Sequence, residues 1–114
     1  MNNRYYQSIE TILECINNID SYTGKRKSFA KYEANNLVQD AVERNLEIIG
    51  EAMKRILELK PDVNITDTRK IIGTRNIISH GYDIIQNEDI WKIIINHLPI
   101  LKQEVGNLLD DKID

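Results

Sequence analysis

Residues 38–57 read VQDAVERNLEIIGEAMKRIL, and the spacing of the apolar side chains in this stretch decides the fold. Val38, Ala41, Val42, Ile48, Ile49, Ala52, Met53, Ile56 and Leu57 recur at helical intervals and do not alternate as strand residues would. Together they cover a wide arc, and a helix apolar over that width lies between two neighbours. The segment from about residue 33 to 59 is therefore expected to be the central helix of a bundle, ended by Pro61. Gly50 in its middle costs roughly 1 kcal/mol against alanine, and close approach of another backbone is the usual reason to accept that.

On the N-terminal side, Tyr6, Ile9, Ile12, Leu13, Ile16 and Ile19 form one stripe of a helix that ends near SYTGKRKS, where Gly24 and basic neighbours suit a loop. On the C-terminal side, Thr66 and Asp67 are good caps for a third helix running to about Ser79. A fourth begins after Asn87, with Glu88 and Asp89 in its first turn favouring the helix dipole. Ile90, Trp91, Ile94, Leu98, Leu101, Val105 and Leu108 give its buried stripe, and Pro99 should kink or split it. The expected fold is all-α: an up-down bundle of four to five helices, the last kinked at a proline.

The chain has 114 residues, enough for one domain over 1–114. A core of that size leaves much surface exposed, which makes a dimer plausible. The net charge is -3, so the overall field does not steer the protein to nucleic acid, and any such contact needs a local basic patch. The single cysteine, Cys15, cannot form an internal disulfide and indicates a reducing compartment or simple core packing. MNNRYYQSIE at the start has no apolar run of a signal peptide, and nothing approaches the roughly 20 apolar residues that span a bilayer. The expectation is a cytoplasmic protein with no membrane association.

The residues suited to chemistry lie in GTRNIISHGYDII, from Gly73 onward. On a continuous helix Asn76 and His80 are one turn apart and share a face, with Arg75 and Ser79 on the adjacent one. Gly81 can end the helix in a left-handed conformation, which would leave His80 and Tyr82 at its fraying edge. Arginine grips phosphate with a planar charged fork, histidine moves a proton near neutrality, asparagine can orient either, and tyrosine offers a hydroxyl. Such groups suffice for cleavage of RNA by its own 2′-hydroxyl: a base deprotonates it, it attacks the adjacent phosphorus, and cations stabilise the transition state. The chain has two histidines and no cluster at metal-ligand spacing, so neither metal nor cofactor is expected. Arg69 and Lys70, about one turn before the motif, are candidate phosphate contacts. The same residues also fit a plain structural reading, with His80 favouring the dipole at a helix C-terminus and Tyr82 packing.

The spacing of Arg75, four residues, His80, one residue and Tyr82 resembles the motif of the HEPN superfamily, and closely its HepT branch. AVERNLEIIGEA at 41–52 is similar to the second-helix signature of HepT-like proteins, GTRNIISHGYDI at 73–84 to their third-helix motif, and DIWKIIINHLPIL at 89–101 to the segment after it. The resemblance implies a helical bundle that dimerises with two motifs facing across a cleft. It implies a metal-independent endoribonuclease toxin, paired with an MntA-type nucleotidyltransferase antitoxin that adds adenylate to the motif tyrosine. By position, Arg75 and His80 would be the catalytic pair, Asn76 the supporting polar residue and Tyr82 the modified one, with RNA as substrate. The alternative is a non-catalytic partner or substrate-binding subunit of a nucleotidyltransferase, with Tyr82 and the cleft as a docking surface.

Overall fold

The computed structural model describes residues 3–80 and 87–113, without the side chains at 75–77, 79, 80 and 113. Six helices and no strand occur among the described residues: α1 (Asn3–Thr23), α2 (Phe29–Glu33), α3 (Asn36–Leu59), α4 (Thr68–His80), α5 (Asn87–Asn96) and α6 (Leu98–Ile113). The all-α bundle expected from the sequence is present, with more pieces than four or five. One extra piece is α2. It has five residues, too few to show a period, and is started by Ser28, whose hydroxyl accepts from the Lys31 N–H. The other comes from Pro99. It does not merely kink the last helix but divides it into α5 and α6, with Pro99 itself in the first turn of α6, where a missing N–H is harmless.

The long central helix is α3, and it packs against both α1 and α4. Asn35 caps it by accepting from the Val38 N–H, and it stops at Leu59, before the residue preceding Pro61. Val42, Ile49, Ala52, Met53 and Ile56 are fully buried, and Gly50 is buried with them. On α1, Ile9, Ile12, Ile16 and Ile19 supply the matching stripe. Tyr5 rather than Tyr6 goes into the core there, while Tyr6 stands at its edge with the Lys112 ammonium 4.9 Å above its ring. Two polar links across the seam show that α1 and α3 run in opposite directions: Asn18 Nδ2 donates to Asn45 Oδ1 (3.2 Å), and Arg55 Nε to Ser8 Oγ (3.3 Å). After α1 the chain turns at Gly24, whose φ of 78° is the left-handed conformation glycine accepts without strain.

Ile90, Ile93 and Ile94 of α5 and Leu98, Leu101 and Val105 of α6 close the same core. Cys15 is buried and free, and burial pushes its thiol up to about 11, so it serves as a small apolar filler. No helix among the described residues is long and apolar enough to cross a membrane. Ile49→Ala should lower the free energy of unfolding by about 2–5 kcal/mol through the cavity it leaves. Leu37→Ala, at a side chain 82% exposed, should stay within about 0.5 kcal/mol of the parent, both read from urea denaturation.

Candidate active site

The motif residues Arg75, Asn76 and His80 belong to α4, so the placement of that helix is what the rest of the chain must secure. Its start is held by side chains from the far end of the sequence. The Thr66 N–H donates to Glu104 Oε2 (3.0 Å) and its hydroxyl to Glu104 Oε1 (3.2 Å). Asp67, expected as a cap, takes that position through its backbone, while its side chain is used elsewhere. Its backbone is left-handed (φ 56°), its carbonyl accepts the Ile71 N–H, and its carboxylate pairs with His97 Nδ1 at 2.9 Å. A left-handed aspartate is tolerated where surroundings fix it, and His97, at the break between α5 and α6, is the residue that does so.

From this anchored start α4 lays Ile71 and Thr74 into the core, with Ile78 packed against it. Thr74 is buried without cost to its hydroxyl, which donates to the Lys70 carbonyl (3.0 Å). The buried stripe fixes where every other position of the helix points. By helical register, positions 69, 73, 76 and 80 fall on the side opposite Ile71, Thr74 and Ile78. Arg69 on this line is exposed, and a Cβ added at Gly73 would meet nothing within 4 Å among the described residues. Lys70 is also exposed but lies about a quarter turn from that line. Position 75 falls beside the buried stripe, about 140° around the axis from position 80.

The helix thus brings the backbone positions of Asn76, His80 and exposed Arg69 onto one face, and sets Arg75 apart from them. The side chains of Arg75, Asn76 and His80, together with Gly81 and the whole of Tyr82, lie outside the described residues. What sequence reading missed is the anchoring. Thirty positions separate Asp67 from His97, and no local pattern marks such a pair.

A second missed feature is Tyr32 on α2. It is buried, its hydroxyl lacks a hydrogen-bond partner among the described residues, and burial together with the nearby Glu43 and Asp40 carboxylates raises its pKa. Glu43 is itself pushed above the usual carboxylate range, first by burial and then by Asp40.

The fold is an all-helical bundle with the candidate residues Arg75, Asn76 and His80 on its fourth helix. The family model for HepT-like ribonucleases matches residues 12–108, nearly the whole described bundle. A Methanocaldococcus jannaschii protein named as a candidate RNase is 36% identical over 98 residues, covering 82% of this chain and 86% of its own length. Another protein so named, from Caldanaerobacter subterraneus, is 30% identical over 83 residues, with 72% and 74% covered. A longer M. jannaschii protein, named as a gamma-glutamylcyclotransferase and candidate RNase, is 31% identical over 101 residues; the chain spans 45% of that relative. No solved structure matches the chain. The chain belongs to the HepT-like ribonuclease family.

The raised pKa of Glu43 has a definite sign. The group favours the native state fully below the ordinary carboxylate value, and that contribution is lost as pH rises through the raised one. Glu43→Gln should therefore be more stable than the parent at pH 7, and the difference should vanish in acid, when urea midpoints are compared across pH.

Proposed function

We propose that this chain is the toxin of a HepT/MntA-type toxin–antitoxin pair, a metal-independent endoribonuclease whose complete site forms between two copies. The observation that carries the reading is family membership over residues 12–108 with Arg75, His80 and Tyr82 at the motif spacing. His80 takes the proton from a ribose 2′-hydroxyl, and the oxygen attacks the adjacent phosphorus. Arg75 stabilises the charge that develops on the phosphoryl oxygens, with Asn76 orienting the phosphate or the imidazole. The 5′-oxygen leaves with a proton from the second copy's His80, so the products are a 2′,3′-cyclic phosphate and a free 5′-hydroxyl.

The two-copy site is supported by the register of α4. Positions 75 and 80 lie far apart around one helix, and one arginine and one histidine supply too few groups for base, acid and phosphorane clamp. A two-fold axis doubles each. Arg69 stands on the same face as position 80 but about 16 Å away along the axis, so it binds a neighbouring phosphate and not the scissile one. Lys70, a quarter turn away, is the weaker contact of the two. Control comes from a small nucleotidyltransferase that transfers adenylate from ATP to the Tyr82 hydroxyl, with pyrophosphate leaving; the bulky anion so added then blocks the cleft.

Purified protein incubated with cellular RNA tests this. Cleavage should proceed in EDTA, leave 2′,3′-cyclic phosphate ends and fall by about 10²–10⁴-fold in His80→Ala. A variant that cuts like the parent removes His80 from the mechanism. No cutting by the parent, with intact binding to the nucleotidyltransferase, would instead identify a docking subunit. With that enzyme and ATP, the parent should gain mass in adenylate increments and lose activity. Tyr82→Phe should do neither.

A further inference from the structure

The corner between α1 and α2 carries a local charge opposite to that of the whole chain. From Ser21 to Tyr32 there are four cations, Lys25, Arg26, Lys27 and Lys31, and no aspartate or glutamate, in a protein of net charge -3. Lys27 is occupied: its ammonium bonds Asp20 Oδ1 (3.2 Å), the Thr23 hydroxyl (2.7 Å) and the Gly24 carbonyl (2.8 Å), which holds the loop in shape. Lys25, Arg26 and Lys31 are exposed.

At the same corner opens a cavity of about 180 Å³, lined by Tyr22, Thr23, Lys31, Tyr32, Asn35 and Trp91 among others. Tyr22 is 44% exposed, an unusual position for a large ring, whereas Tyr32 and Phe29 brace the Trp91 ring at 5.4 and 6.0 Å. The cavity is smaller than the roughly 300–1,000 Å³ typical of small-molecule sites. It suits a single planar ring belonging to a longer ligand. Exposed aromatic rings for bases, with cations alongside for the backbone, are the two parts of a surface that binds single-stranded nucleic acid.

We propose that this corner is a binding subsite for single-stranded RNA. One base seats in the cavity against Tyr22 and Trp91, and Lys25, Arg26 and Lys31 take flanking phosphates. The choice of RNA rests on the ribonuclease reading above. The fold connects the subsite to the motif helix: Trp91 and His97 are about 9 Å apart along α5, and His97 holds Asp67, which lies two residues before Arg69.

Trp91 is the only tryptophan, so its emission reports this cavity alone. The probe is a 2′-O-methyl uridine 12-mer, which lacks the attacking hydroxyl and is not consumed. Titrating it into the full chain should change Trp91 emission saturably. Tyr22→Ala should weaken binding at least about fivefold. Lys25→Ala with Arg26→Ala should lower the salt dependence of log affinity by about 0.7 per cation removed. All three positions are exposed, and circular dichroism checks that the variants remain helical.

Binding of a labelled 12-mer without change in Trp91 emission would overturn the subsite. So would unchanged affinity in Tyr22→Ala, or an equal response to polyglutamate, which would mark a surface for acidic protein. Cleavage of unmodified RNA is scored separately. Failure there removes the ribonuclease and leaves the binding result standing, while cleavage with normal affinity in Tyr22→Ala removes only the subsite.

Discussion

The burial of α3 on two sides is the constraint from which the rest follows. Its apolar surface is too wide for α1 alone to cover, and α4 takes the remainder. A helix recruited in this way is not free to choose its orientation. The contribution of Ile71, Thr74 and Ile78 to the core sets the rotation of α4, and the rotation sets which residues face out. The placement of the motif thus depends on hydrophobic packing one helix away, in that backbone positions 76 and 80 lie on the side of α4 opposite 71, 74 and 78.

This explains which parts of the protein were legible in its sequence. The stripes of α1 and α3 were readable because each runs for many turns and its period is repeated several times. Tyr5 and Tyr6 are adjacent and chemically alike, and helical register separates them: Tyr5 lies in line with the buried Ile9, Ile12 and Ile16, whereas Tyr6 is about 100° away. The helix α2 is a single turn and has no period to read. Pro99 announced a disturbance, but whether a proline kinks or divides a helix depends on where the flanking side chains must go. Here Leu98 and Leu101 enter the core on one side of it and Ile93 and Ile94 on the other.

The candidate site was legible as residue types at a spacing, and its face could be worked out from helical geometry. Its support could not. Asp67 was recognisable as a residue that starts helices, but a left-handed aspartate tied to a histidine thirty positions later is a tertiary fact. The same holds for the cavity at the α1–α2 corner. Lys25 and Arg26 read as part of an ordinary loop until Trp91 arrives from a distant helix to line a cavity with Tyr22, Thr23 and Lys31 at the same corner.

The ten residues of α5 touch two separate regions: Trp91 near its beginning meets α2, and His97 just past its end meets Asp67. That makes α5 a spacer of fixed length and fixed phase. Adding or removing one residue between them would rotate one end against the other by about 100° and move it about 1.5 Å. One contact could then be kept only by giving up the other. A change of side chain within α5 can be absorbed locally, but a change in its length cannot. Exchange of segments between related chains would therefore have to carry residues 87–97 as a block.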